Sequence, residues 1–139
     1  MVTRVDSPPP MERRQAQFVL VVDDDPSIRL LCRINLELEG WTVREAESLA
    51  DARRELEAEG AAVVLLDVHV GLESGVGFLD ELRREHPGLP VAMLTGSIEH
   101  PIVGDVAAEA VIAKPFTLEQ LSETVRLLAA GGRVKSPPS

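Results

Sequence analysis

Apolar residues along this chain come in short runs, separated by segments in which they recur every three or four positions. Five runs, Phe18–Val22, 42–45, 62–66, 90–94 and Ala110–Ala113, are strand-like in length, mostly rich in Val and Leu, and bounded by Gly, Pro or Asp. Amphipathic stretches predict four helices. The first covers residues 26–39, with Ile28, Leu31, Ile34 and Leu38 at helical spacing and Gly40 as its C-cap. Residues 48–59 and 76–85 follow, the latter with Leu79 and Leu82 inward, and 118–130 places Leu118, Leu121, Val125 and Leu128 on one stripe. Strands alternating with helices predict an α/β fold with a five-stranded parallel sheet, doubly wound. The stretch between Leu94 and Ala110 departs from the pattern. Pro101 and Gly104 disfavour a regular helix there, so a short or irregular connection is expected.

Composition narrows the picture. A chain of 139 residues is one domain's worth, long enough to bury a core without staples. Residues 1–17, polar and proline-bearing, read as a disordered leader, and 131–139 as a flexible tail. Acidic residues outnumber basic ones 23 to 14, giving a net charge of −9. Leader and tail are each net basic, so the folded part is more acidic than the whole. That balance argues against nucleic acid and against an anionic membrane surface. The apolar runs are too short to cross a bilayer, and Pro8-Pro9-Pro10 is no signal peptide, so a cytoplasmic domain is expected. Cys32, the single cysteine, can form no internal disulfide and reads as a small core or boundary residue. Trp41 is expected at the sheet edge, and His86 and His100 in solvent.

Chemistry gathers where the strands end. In an open parallel sheet, ligands bind outside the carboxyl ends of the strands, near the switch in strand order. The first strand ends in Asp23, Asp24 and Asp25, the third in Asp67, the fourth in Thr95 and the fifth in Lys114. Clustered carboxylates raise each other's pKa unless a cation offsets them, and Mg²⁺ with its oxygen ligands is a natural one. Lysine adds a compact charge and threonine a donor. Together these are the parts of a phosphoryl-transfer site with a carboxylate nucleophile. Each has a plainer reading too: Asp25 before Pro26 is a good helix N-cap, Asp67 a loop or cap residue, Lys114-Pro115 a turn.

Taken in order, these residues resemble the receiver domains of two-component response regulators, over about residues 18–130. FVLVVDDDPSIRLLCRINLELEGWTVREAES is similar to that family's first strand, acidic pair and first helix. Asp67 followed eight residues on by Gly75 resembles its phosphoacceptor motif, Thr95 its hydroxyl position, and Lys114-Pro115-Phe116 its lysine-proline signature. The resemblance implies a flavodoxin-like fold and makes Asp67 the acceptor of a phosphoryl group from a histidine kinase or a histidine phosphotransfer protein. It implies Mg²⁺ held by Asp23, Asp24, Asp67 and the backbone carbonyl of His69, with Asp24 the direct ligand and Asp23 acting through water. The His69 imidazole would lie near the phosphoryl group. Thr95 would bond a phosphoryl oxygen, Lys114 would pair with Asp67, and the Lys114–Pro115 bond would be cis.

Three departures stand out. Gly71 replaces the proline usual after the acceptor, implying a looser loop. Val111 stands where an aromatic is common, three residues before the lysine, so the usual ring switch is not available. Thr95 and Lys114 are 19 positions apart, short for the family, as in receivers whose fourth helix is short or absent. Residues 96–109, with Ile98, Pro101 and Ile102, are then expected to change on phosphorylation. With no room after Ala130 for an output domain, a stand-alone regulator is expected that signals to a protein target. Two other readings remain open. One is an aspartyl-nucleophile phosphatase beginning at Asp23-Asp24-Asp25; the other is a receiver used as a phosphorylation-independent interaction domain.

Overall fold

Strand β1 (Phe18–Val22) is buried at every position, which requires cover on both of its faces. The computed structural model describes residues 17–96 and 108–131. After β1 come α1 (Pro26–Leu38), β2 (Thr42–Ala46), α2 (Leu49–Leu56), β3 (Ala61–Asp67), β4 (His69–Val70), β5 (Glu73–Ser74), α3 (Gly75–Glu85), β6 (Val91–Thr95), β7 (Ala110–Ala113) and α4 (Leu118–Ala129). Five strands form one parallel sheet in the order β2-β1-β3-β6-β7. This is the expected doubly wound, flavodoxin-like α/β fold. The expected disordered leader and flexible tail lie almost entirely outside the described residues, as does the centre of the connection expected to be short or irregular.

Alternation along the strands sorts the core into two layers. Phe18, Leu20 and Val22 of β1 join Val64 and Leu66 of β3 and Met93 of β6 beneath α2 and α3, around Ala52, Phe78 and Leu82. Val19, Val21, Val63, Leu65 and Leu94 face the other way, against α1 and α4. There the inward stripe of α1 is Ile28, Cys32 and Leu36. The expected spacing fixed the helix but not its face: Leu31, Ile34 and Leu38 are 40%, 52% and 82% exposed. Similarly, α4 buries Leu121, Val125 and Leu128 but leaves Leu118 in solvent. His86, expected in solvent, is half-buried as the C-cap of α3.

Helix starts are fixed by side chains that accept free backbone N–H groups. Asp25 accepts from Ser27 with Pro26 in the first turn, Ser48 from Asp51, and Ser74 from Gly77. Thr117 and Gln120 form a reciprocal capping box at α4. Asp25 therefore has the plain structural role open to it.

Register decides what meets at the strand ends. Val22 pairs with Leu66, so the next residues, Asp23 and Asp67, emerge side by side. Thr95 pairs with Ala113, which sets Lys114 beside the end of β6. The order reverses between β1 and β3, and the crevice at that switch receives the acids.

Cys32 tests this packing. Burial, with Asp23 adding to it, pushes its thiol from 9.0 up to about 12. A raised value means the neutral thiol stabilises the fold fully below the unfolded value, and that stability is lost as pH rises from about 9 towards about 12. A thiol reagent at pH 8 is expected to leave the native protein unlabelled and to label it stoichiometrically in denaturant. Rapid native labelling would contradict the assignment of Cys32 to the core.

Candidate functional site

Asp23 follows directly from β1 and is wholly buried. Its backbone N–H still donates to the Ala46 carbonyl, so the sheet ladder holds it one residue past the strand. A carboxylate without water needs partners for both oxygens. Oδ1 accepts the Asp25 backbone N–H at 3.0 Å, and Oδ2 accepts Lys114 Nζ at 2.8 Å. Asp24, the next residue, is exposed; its Oδ2 accepts the Gly71 backbone N–H at 3.2 Å. Asp67 closes β3 and is partly buried, with Oδ1 3.4 Å from Lys114 Nζ. One carboxylate oxygen from each acid lies within 4.8 Å of the others.

Electrostatics follow from that crowding. Burial raises the Asp67 pKa above the usual carboxylate value and the Asp23 charge adds to the rise, while Lys114 and the His69 backbone N–H pull it down. Burial alone would lower the Lys114 pKa, but its bonds to Asp23 and Asp67 outweigh this and raise it. One ammonium faces three carboxylates, so negative charge remains in excess. All the side-chain donors are oxygens of a hard type, and their spacing suits Mg²⁺, which commonly takes carboxylates and water. The residues fit the ion.

The other expected site residues are placed around this centre. Thr95 is buried at the end of β6, and its carbonyl accepts the Lys114 backbone N–H at 2.7 Å. Lys114–Pro115 is cis. His69 is exposed on β4 and meets the Asp67 carboxylate through its backbone N–H.

Sequence patterns did not show the β4–β5 hairpin, whose strands are two residues each. Gly71 sits at its turn with φ +63°, a conformation that favours glycine. Its N–H to Asp24 is a bond that proline could not make. The loop expected to be slack is thus tied to the acidic pair. Gly75, the other end of the expected acceptor motif, has a steric reason. A Cβ there would lie 1.9 Å from the Asp67 carbonyl oxygen, because α3 starts against the end of β3. Arg29 carried no sequence signal, since one of its partners is a backbone carbonyl, that of Asp23.

Residues 19–126 match the family model of the response regulator receiver domain. The chain belongs to this family. Relatives of this receiver domain include the probable transcriptional regulatory protein TcrX of Mycobacterium tuberculosis, 36% identical over 82% of this chain and 50% of TcrX. The alkaline phosphatase synthesis transcriptional regulatory protein PhoP of Bacillus subtilis is 29% identical, over 87% of this chain and 52% of that one. The chain spans about half the length of these curated relatives. Among solved structures, a CheY-like receiver protein of Methanospirillum hungatei superposes with a TM-score of 0.76 at 27% identity, covering 83% of this chain and 94% of that one.

Two outcomes follow from the geometry. Gly75→Ala must push α3 away from Asp67, and an overpacking cost of about 1–3 kcal/mol is expected in urea denaturation; an unchanged midpoint would contradict the close approach. Asp67 has a raised value, so its stabilising protonated form is lost as pH rises through that value, and at neutral pH its charge is a net cost. Asp67→Asn without divalent cations should therefore melt higher at pH 7, by on the order of a few °C, with the gain shrinking towards pH 3. A lower melting temperature at pH 7 would contradict this sign.

Proposed function

We propose that this receiver domain accepts a phosphoryl group on Asp67 from a histidine kinase or histidine phosphotransfer protein, with Mg²⁺ held by Asp23, Asp24, Asp67 and the His69 carbonyl. The observation that carries the reading is the contrast between the two acids that share Lys114. Asp23 is wholly buried with both oxygens bonded, so it offers no face to a phosphorus atom. Asp67 is partly open, and its contact with the shared lysine is longer, at 3.4 Å. That contrast also counts against a phosphatase with its nucleophile at Asp23.

In the proposed reaction an Asp67 carboxylate oxygen attacks phosphorus while the bond to the donor's imidazole nitrogen breaks. The imidazole leaves with the electron pair, and an acyl phosphate is formed. Mg²⁺, when bound, supplies positive charge against the acids and the phosphoryl oxygens. Lys114 offsets the charge of the product, and the Thr95 hydroxyl donates to a phosphoryl oxygen. The domain accepts the group and does not turn over a separate substrate.

The same proposal has residues 18–130 act as the signalling unit, between the leader 1–17 and the tail 131–139. Its output is contact with a protein target. A net charge of −9 suits that better than contact with a phosphate backbone, although the relatives above are named transcriptional regulators. A cytoplasmic location is part of the proposal. Among the described residues no helix is long and apolar enough to cross a membrane.

Incubation with acetyl phosphate and intact-mass measurement test the chemistry. A phosphoryl adduct is expected on the wild type with Mg²⁺, and none with chelator or on Asp67→Asn. No adduct on the wild type would favour a phosphorylation-independent domain, and an adduct kept in Asp67→Asn but lost in Asp23→Asn would favour the phosphatase reading.

A further inference from the structure

Behind the acids stands a cation that the proposed reaction does not use. Arg29, one turn into α1, is largely buried, with 13% of its side chain exposed. Its guanidinium spans three segments. Nη1 donates to the Asp23 backbone carbonyl at 2.7 Å, Nε donates to Glu45 Oε1 on β2 at 2.9 Å, and Nη2 lies 3.8 Å from Glu47. The Arg29 backbone N–H also donates to the Asp25 carbonyl, at 3.2 Å.

The Asp23 carbonyl is where the chain leaves the sheet. Asp23 N–H is held by Ala46, its side chain by Lys114 and Asp25, and its carbonyl by Arg29. The peptide joining Asp23 to Asp24 is thus clamped from α1, and the direction in which Asp24 projects depends on that clamp. Glu45 is braced in turn by Arg33, whose Nη1 donates to Oε2 at 2.5 Å. A guanidinium suits this position because its planar fork reaches a carbonyl and a carboxylate together, which a lysine cannot do.

We propose that Arg29 is a positioning residue for the acidic pair: by fixing the Asp23–Asp24 peptide against α1 and β2 it sets the site's affinity for Mg²⁺. The inference rests on the proposed assignment of Mg²⁺ to Asp23, Asp24 and Asp67. Two opposite effects separate positioning from simple charge. Removing a cation near carboxylates should tighten Mg²⁺ binding if Arg29 acts only through its field. Loss of a positioning contact should weaken it, and groups behind metal ligands commonly matter by about 10–100-fold.

The test is calorimetric titration of the full chain with MgCl₂ alone, together with melting curves with and without Mg²⁺. Arg29→Ala is expected to weaken Mg²⁺ binding by about ten-fold and to shrink the gain in melting temperature that Mg²⁺ confers. Arg126→Ala, which removes an exposed arginine of α4 paired with Glu123, is expected to bind as the wild type does. A merely structural Arg29 would lower both melting curves equally and leave the dissociation constant unchanged, which would overturn the proposal; so would tighter binding. If Arg29→Ala does not fold, Arg29→Lys carries the test, with weaker binding supporting the role and unchanged binding overturning it. Wild type that takes up no Mg²⁺ would sink the metal assignment and this inference together, whereas normal wild-type binding with an unaffected Arg29 variant would sink this inference alone.

Discussion

The site depends on one buried ion pair. The Asp23 carboxylate has no contact with solvent, and an ionised group in that position is tolerable only with its charge answered and its oxygens bonded. Lys114 Nζ answers it at 2.8 Å, across 91 positions of sequence. The pair therefore joins the end of β1 to the end of β7, and Asp67 lies within reach of the same ammonium. Register makes this possible. Because Val22 faces Leu66 and Thr95 faces Ala113, the residues after the strands arrive level with one another. Moving any of these strands by one residue would reverse its inward and outward side chains and take its site residue out of the crevice.

Much of this was legible in the chain because the central strands are covered on both faces. Continuous apolar runs gave β1 and β7 their observed bounds and β3 and β6 to within a residue, and the polar residue after each run marks where the sheet ends. What was not legible has physical causes. The inward face of α1 is hidden because Leu30, Ile34 and Leu38 form an outward row as regular as the inward row of Ile28, Cys32 and Leu36. Leu72, fully exposed at the turn of the hairpin, carries no strand signal, and two-residue strands are too short for period-two alternation. Arg29 escapes because the groups it clamps are a carbonyl, which every residue possesses, and a glutamate 16 positions away.

Family motifs acquire separate physical reasons in this structure. Gly75 stands where it does because the first turn of α3 presses on the carbonyl of Asp67, and its N–H donates to the Val68 carbonyl at 2.6 Å. The hairpin between Asp67 and Gly75 then folds over the strand ends, and Gly71 uses both its left-handed backbone and its N–H to reach Asp24. A proline at that position would supply neither. The loop is therefore held through the bond from Gly71 to Asp24, by which the acidic pair and the loop beyond Asp67 restrain each other.

The acidity of the whole chain is a weaker constraint than the imbalance inside the crevice. Three carboxylates gather there, two of them share a single lysine, and that lysine sits closer to Asp23 than to Asp67. Asp23 is thereby paired as a structural group, while Asp67 keeps a partly desolvated charge. A phosphoryl group would add roughly −1.5 to −2 more charge at neutral pH. Lys114 alone cannot offset that and hold Asp23 as well. The arrangement thus leaves the site short of positive charge by construction. Under the proposed assignment, phosphoryl transfer onto Asp67 is tied to the presence of a second cation, and the fold supplies oxygen ligands for it at the point where the deficit is greatest.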